Sequence, residues 1–459
     1  MRSWHLSAFV RDGISLVGIA IATSMAAMFL VLVLLDVAGY LTNPYLGLLL
    51  FVAVPGAFVL GLLLIPIGMW RAARRHRRLE RSSPGAPLPG WPVIDLGLAR
   101  QRMIGLVVLV LTVTNLVIVS VAAYGGVHYM ESAEFCGQVC HTTMEPEYVA
   151  YRNSPHSRVA CSECHVGPGV GALVGSKLAG TRQLWDVVTR QVPRPVPPPT
   201  HAMRPARDTC EHCHWPEKFH GDRVRVVHEY AEDEKNTETR TTLVMHVGGG
   251  SEKLGVGTGI HWHMNLDNAI EYVTTDPTGD VIPYVRLRGR DGRVREFVAD
   301  GATPQQIAAG QRHVMDCMDC HNRPAHTFSS TPERAVNEAM AEGRIPRELP
   351  FVRREAAAAV RAKYPNRDAG LAGISRHLTE FYRAHQADAR LVDRAVAGTQ
   401  DVWARNVFPV MNVTWGTYPN KIGHLDAPGC FRCHDDNHKS KDGGVIRQDC
   451  ETCHGMPSE

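Results

Sequence analysis

Hydrophobic residues are concentrated in the N-terminal part of the chain. Three apolar runs, residues 14–35, 46–70 and 103–124, each reach the roughly 20 residues that a helix needs to cross a bilayer. The second run contains Pro55 and Pro66, which membrane helices tolerate. A cleavable signal peptide has one shorter apolar segment, so the pattern does not fit one. We therefore predict three transmembrane helices, with the lipid bilayer as the first partner of the protein.

The charges between these runs predict their orientation. The connection after the second run contains "RAARRHRRLER" and then Arg100 and Arg102, which makes eight arginines against Glu80 and Asp95. The short connection "TNPY" between the first two runs carries no charge. Because basic connections stay on the cytoplasmic side, the N-terminus and the arginine-rich loop are predicted to be cytoplasmic. The basic loop could also bind anionic lipid headgroups or a partner. Everything after the third run is then periplasmic, and the protein belongs in a bacterial inner membrane.

The remaining chain changes its pattern several times. Residues 217–310 read as β-structure, with a strand in "TTLVMHVGG" and a hairpin in "VIPYVRLRGRDGRVREFVAD" that turns at Asp291 and Gly292. Residues 332–405 read as helices. The stretch "RQVPRPVPPPTHAMRP" reads as a stiff, extended connector.

The cysteines are the strongest chemical signal. All 12 fall into six pairs, each followed directly by a histidine. Five pairs have the spacing C-x-x-C-H and the first has C-x-x-x-C-H; they are Cys136/Cys140/His141, Cys161/Cys164/His165, Cys210/Cys213/His214, Cys317/Cys320/His321, Cys430/Cys433/His434 and Cys450/Cys453/His454. C-x-x-C-H is the attachment signature of c-type haem, in which the thiols form thioethers and the histidine is the proximal iron ligand. Zinc ribbons and disulfides are the alternatives, but neither needs a histidine after every second cysteine. We predict six covalently bound haems, and attachment of c-type haem outside the cytoplasm agrees with the predicted orientation.

Each iron also needs a second axial ligand or a vacancy. Candidates are chosen by their position near the motifs; they are Met144, His156, His201, His263, His326, His424 and His438. His246 and His261 rank below them. Two histidine ligands favour electron transfer at low potential, whereas a methionine ligand raises the potential.

These signals divide the chain into six parts. They are two transmembrane helices with a basic loop (1–102), a third transmembrane helix (103–130), haem motifs 1–3 with a substrate site (131–216), a β-rich insert (217–310), motif 4 with a helical segment (311–410) and motifs 5 and 6 (411–459). The predicted fold is a multihaem cytochrome c with three N-terminal transmembrane α-helices and a mostly irregular and helical periplasmic domain. The net charge of +3 and the near-neutral exported part give no indication of nucleic-acid binding.

A membrane helix followed by "FCGQVCHTTMEPEY", "SPHSRVACSECHVGPG" and a lysine-bearing segment resembles the NapC/NirT/NrfH family of membrane-anchored multihaem quinol dehydrogenases. The longer layout, with "CMDCHNRPAHTF" and "WGTYPNKIGHLDAPGCFRCHDDNHK", resembles the larger inner-membrane members of metal-respiring bacteria. The resemblance implies that a methionine follows the first haem motif beside a quinol pocket, and that a lysine and an aspartate line the pocket. These residues fall on Met144, Lys177 and Asp186. His128, at the end of the third apolar run, is a further candidate proton acceptor.

The chain departs from the family pattern at the first motif. The usual motif is C-x-x-C-H with a methionine two residues later, and here both spacings grow by one residue. Smaller members have four haems and one span, so the resemblance assigns no role to the two extra spans, the two extra haems or the β-rich insert.

The expected function is quinol oxidation at the periplasmic face. The substrate from the membrane quinol pool is menaquinol or ubiquinol, with menaquinol preferred, and the electrons pass through six haems to a periplasmic cytochrome or reductase. One alternative is a relay subunit of a larger membrane complex without its own quinol site. The other is a terminal reductase, which needs a vacant iron position and is disfavoured by the surplus of histidines.

Overall fold

A computed structural model describes residues 12–38, 49–81, 97–139, 141–198, 204–219, 221–249, 258–265, 267–289, 291–425 and 427–455. The chain divides into two compact units, Met1–Cys140 and His141–Glu459.

The first unit consists of long helices. They are α1 (Gly13–Val37), α2 (Val54–Arg81, preceded by a π-helical turn at Leu49–Ala53) and α3 (Ala99–Glu131). Each contains a segment long and apolar enough to cross a membrane, namely Gly13–Leu35, Val54–Ala72 and Leu109–Glu131. The prediction of three apolar membrane helices is confirmed.

Small residues bring α1 and α2 close together. A Cβ atom added at Gly18 would lie 2.8 Å from the Gly61 carbonyl oxygen, and one added at Gly61 would lie 2.7 Å from the Ala22 nitrogen. Close backbone approach at glycine and alanine is the usual way in which helices associate in lipid.

The arginine-rich stretch differs from expectation. It was predicted as part of a loop, but α2 continues through it to Arg81. Alanine, arginine, leucine and glutamate are all strong helix formers, and cations near a helix C-terminus interact favourably with the helix dipole. The predicted loop that follows, at 82–96, lies outside the described residues.

The second unit contains two antiparallel sheets. The strands are β1 (Arg223–Tyr230), β2 (Glu238–Met245), β3 (Ala269–Thr274), β4 (Tyr284–Arg288), β5 (Val294–Ala299), β6 (Gln311–Val314), β7 (His438–Ser440) and β8 (His454–Gly455). One sheet has the order β1-β2-β8 and the other β6-β3-β4-β5-β7. Strands β4 and β5 form a hairpin over the predicted turn, where Gly292 has a φ of 73°.

The C-terminal segment completes both sheets. Strand β7 pairs with β5, and β8 pairs with β2, so that Val244 faces Gly455. The β-rich insert therefore does not form its sheets alone, because strands from the region of motifs 5 and 6 are hydrogen-bonded to it.

The helices of the second unit fall into two groups. The first group lies close to the haem motifs or within the β-rich part of the chain. It consists of α4 (His141–Arg152), α5 (Cys161–His165), α6 (Val170–Val188), α7 (Ala206–Cys210), α8 (Pro304–Ala309) and α13 (Cys450–Cys453). The second group is α9 (Pro332–Ala341), α10 (Val352–Arg361), α11 (Arg367–Ala384) and α12 (Ala389–Asn406). This second group packs around a buried core that includes Ile345, Leu378, Tyr382 and Trp403. It forms a helical module without a haem motif.

Candidate functional site

The cysteine–histidine motifs lie on short helical segments and turns. Residues Cys161–His165 form α5, Cys210 ends α7, and Cys317 begins a 3₁₀ turn. None of the eleven described cysteines forms a disulfide, and Cys140 lies outside the described residues. Across the described ranges, no three histidine, cysteine or acidic side chains converge as a metal-ion cluster. The cysteine pairs therefore do not assemble there into four-ligand zinc sites.

Five of the six motif histidines each face a second histidine. The distances between ring centroids fall in a narrow range; they are 6.2 Å for His165–His326, 6.1 Å for His214–His156, 6.3 Å for His321–His261, 5.9 Å for His434–His263 and 6.3 Å for His454–His424. In each pair one histidine follows a cysteine pair and the other comes from a different part of the chain.

This separation fits two imidazoles on opposite sides of one metal ion. An imidazole nitrogen lies about 2 Å from a bound first-row metal and about 1.1 Å from its own ring centroid, which gives roughly 6 Å between centroids. A direct stacking contact would be closer, as for His424 on Phe431 at 4.4 Å. The spacing and the neighbouring thiols therefore fit c-type haem as the group that these residues hold.

The hydrogen bonds of the second histidines orient their rings. Nδ1 of His156, His261 and His263 donates to the carbonyl oxygens of Pro324, Val247 and Ile260, at 3.2, 3.0 and 2.7 Å. Nδ1 of His326 donates to the Glu147 carbonyl oxygen at 3.0 Å. Such a bond fixes the tautomer and leaves Nε2 unprotonated, as a metal ligand requires. Burial also lowers the pKa of His261, His263 and His326, which keeps these imidazoles neutral.

His438 has a different environment from these four. It is almost completely buried, and both ring nitrogens are engaged: Nδ1 with Asp435 Oδ1 and Nε2 with the Ile282 carbonyl oxygen, each at 2.8 Å. Its place in β7 and these bonds indicate a structural role. His201 lies outside the described residues. His246 contacts Asp222 through Nδ1 at 3.1 Å.

The thiols show that successive motifs are neighbours. The Cys210 side chain lies within hydrogen-bonding distance of Cys317, and the Cys320 side chain is close enough to Cys430 for an electrostatic interaction. In the same way Cys164 is close to Cys213, and Cys453 is close to Cys430. Motifs 2 to 6 thus follow one another in space in the order of the sequence.

A buried ion pair supports the His326 ring. Arg323 Nη2 donates to both carboxylate oxygens of Glu147 at 2.9 and 3.0 Å, and Arg323 Nε donates to the His326 carbonyl oxygen at 2.7 Å. The guanidinium also lies 4.1 Å over the Tyr418 ring. Glu147 thereby connects α4, which begins at the first motif, to the histidine that faces the second motif.

The candidate substrate residues lie on two helices. His128 is exposed in the last turn of α3, in the first unit. Lys177 and Asp186 both lie on α6, and both are half-buried. Nine residues are two and a half turns of a helix, so Lys177 and Asp186 are on opposite faces. Met144 is in the first turn of α4, three positions after His141.

The sequence ranked His261 below the other candidates, whereas in the structure its ring faces His321. The sequence also did not point to Glu147 and Arg323 as neighbours of His326. The pattern "HWH" in Ile260–Met264 is the sequence feature that could have identified His261, because it contains both His261 and His263. In a 3₁₀ turn, residues two apart point in different directions, so His261 and His263 can face two different motif histidines. The β-rich insert without a motif thus supplies a histidine to motif 4 and another to motif 5.

Comparisons with known proteins agree with these motifs. The N-terminal region of the NapC/NirT cytochrome c family matches residues 99–195. The chain is 39% identical over 455 residues to cytochrome c-type protein ImcH of Geobacter sulfurreducens, covering 98% of this chain and 88% of the relative. No solved structure matches the chain significantly.

Proposed function

Because this chain belongs to the NapC/NirT cytochrome c family, we propose that it is a six-haem quinol dehydrogenase of the bacterial inner membrane. Quinol is oxidised at the periplasmic face, and the electrons pass to a periplasmic cytochrome or reductase. The observation that carries this proposal is the set of five histidine pairs with centroid distances of 5.9–6.3 Å. Each pair supplies two opposed nitrogen donors beside a pair of thiols.

The chain's own residues hold the cofactors. Each cysteine pair anchors one c-type haem covalently, and the motif histidine is its proximal ligand. The second ligands are His326 for motif 2, His156 for motif 3, His261 for motif 4, His263 for motif 5 and His424 for motif 6. Haem iron supplies a one-electron redox centre when bound, and two histidine ligands leave no position for a substrate. This ligand set favours electron transfer over a terminal reductase.

Motif 1 is the site with a different ligand. Met144 follows His141 by three positions on α4, and it would supply the ligand that distinguishes this motif from the other five. A methionine ligand raises the potential of an iron, which suits the first acceptor from a quinol.

Lys177 is the preferred proton acceptor for quinol oxidation. Loss of two electrons from a quinol releases two protons, and a neutral lysine amine or a neutral imidazole can take one each. Lys177, on α6, fits this role, and His128, in the last turn of α3, is a separate candidate. Asp186 faces away from Lys177, so it does not line the same pocket from a continuous α6.

The orientation follows from the arginines. Basic residues favour the cytoplasmic side, which supports a cytoplasmic location for the arginine-rich end of α2 and a periplasmic location for the motifs after α3. The order of the motifs in space gives a route from motif 2 to motif 6, which lies in an exposed C-terminal segment. A relay subunit that receives electrons from another quinol-oxidising protein would use the same route.

The test is anaerobic mixing of the purified full chain with a soluble menaquinol analogue while the haem α-band is followed. We expect fast reduction that a quinol-site inhibitor blocks and that Lys177→Met slows at least tenfold. Arg182→Met is the matched control, because it removes a cation from another face of the same helix. If dithionite reduces all the haems but quinol reduces none, the chain is a relay. If Lys177→Met and Arg182→Met behave alike, Lys177 is not part of the site.

A further inference from the structure

Helix α6 exposes a row of large apolar side chains. Leu178 and Val188 are each 69% exposed and Trp185 is 64% exposed, and Val174 and Leu184 are also more than half exposed. Burying such residues is the main source of folding free energy, and a soluble surface seldom carries so many in one element. Their exposure indicates that something outside the described fold covers them.

These side chains share one face of the helix. At about 100° per residue, positions 174, 178, 184, 185 and 188 fall within an arc of roughly 120°. The row from Val174 to Val188 is about 21 Å long at 1.5 Å per residue. The opposite side carries Gln183 and Asp186. A helix with one apolar and one polar face, attached to a membrane protein, is the usual form of a helix lying in the interface plane.

We propose that α6 lies along the bilayer surface with this apolar face in the lipid. Three features favour lipid over a protein partner. The apolar row contains a tryptophan, and tryptophan is enriched at the level of lipid headgroups. Arg182 lies beside the row on the same helix, and it complements anionic headgroups. The chain is already attached to the membrane by α3, and only residues 132–169 separate α3 from α6.

The two polar residues inside the apolar arc suit this position. The Thr181 hydroxyl donates to the Lys177 carbonyl oxygen at 2.9 Å, so it has a partner within the helix. Lys177 can extend its apolar stem along the lipid and keep its ammonium group among the headgroups. The proposal does not require quinol oxidation, but it would place Lys177 where a molecule dissolved in the bilayer can reach it.

The test is lipid photocrosslinking of the full haem-loaded chain in nanodiscs of phosphatidylcholine and phosphatidylglycerol. Leu178 and, separately, Gln183 are replaced by p-benzoylphenylalanine, and adducts are identified by mass spectrometry after irradiation. We expect phospholipid adducts at position 178 in at least tenfold higher yield than at position 183. Equal yields at the two positions, or adducts of position 178 with protein alone, would overturn the proposal.

Two measurements keep the result interpretable. The haem absorption spectrum of each variant shows whether it has folded. If the variant at Leu178 loses that spectrum, replacement of Trp185, which has a similar size to the probe, gives the same comparison with position 183. Quinol reduction is measured separately, so a protein that reacts with quinol without lipid contact at α6 refutes only the membrane-surface helix.

Discussion

Removing the charge of Glu147 should destabilise the second unit far more than removing a neighbouring exposed charge. The Arg323 side chain is only 7% exposed and that of Glu147 is 19% exposed, with Nη2 2.9 Å from Oε1. Loss of one partner from a buried ion pair costs about 3–5 kcal/mol, because the other charge stays buried without compensation. Glutamine retains the shape and one oxygen acceptor, so we expect Glu147→Gln to lower the free energy of unfolding by about 2–3 kcal/mol.

Glu145→Gln is the matched control on the same helix. Glu145 is 43% exposed and pairs with the exposed Arg367 at 3.2 Å. Exposed pairs contribute about 0–1 kcal/mol, so this variant should unfold almost like the wild type. Adding Arg323→Met to Glu147→Gln should recover part of the loss, because the uncompensated charge is then removed.

The assay is denaturant unfolding of the haem-loaded full chain, followed by circular dichroism and by the Soret band. Glu147→Gln should also disturb the Soret band, because Glu147 accepts a hydrogen bond from His326 through its backbone and contacts the ring through Oε2 at 3.1 Å. Equal midpoints for the Glu147 and Glu145 variants would refute the assignment of a buried, compensated arginine.

Four further substitutions test other parts of the structure. Asn236→Ala should cost about 2–4 kcal/mol in thermal unfolding, because the buried amide donates to the carbonyl oxygens of Arg347 and Leu349 and accepts from a backbone N–H. His261→Ala should produce one high-spin haem by electron paramagnetic resonance, whereas His438→Ala should keep every haem low-spin and lower the stability by about 2–3 kcal/mol. Hydrogen bonds from Arg240 and His228 lower the pKa of Glu238 to about 2, so its contribution to stability is present above the ordinary pKa of about 4.3 and is lost as the pH falls toward 2. Glu238→Gln should therefore unfold more easily than the wild type at pH 6, and the difference should shrink during acid titration.

Short sequence patterns predicted those helices and turns that depend only on residues close together in the chain. The apolar runs became the helices α1, α2 and α3, and the Asp291-Gly292 turn joins β4 to β5. These features depend on residues that are close in sequence, namely a run of apolar side chains or a turn that favours glycine. The arginine-rich end of α2 was misread as a loop because charge was taken as a sign of a connection, although its residues favour helix.

The second histidine of each pair could not be derived in the same way. His326 faces His165 and His261 faces His321, and in both cases the partner comes from a distant segment of the chain. Nothing near His438 in the sequence distinguishes it from His424. Their difference lies in the tertiary environment, where β7 buries His438 and binds both of its nitrogens. The opposite faces of Lys177 and Asp186 follow from periodicity, but only once one unbroken helix is known to span both residues.

The claim on which the proposed electron route depends is that five histidine pairs each hold one iron. Near-infrared magnetic circular dichroism of the oxidised full chain tests it most directly, because the ligand-to-iron band distinguishes two histidine ligands from histidine with methionine and from a high-spin iron. We predict six haems, five with the bis-histidine band and one, at motif 1, without it. Two or more haems outside the bis-histidine class, or fewer than six haems in total, would contradict the assignment of these pairs.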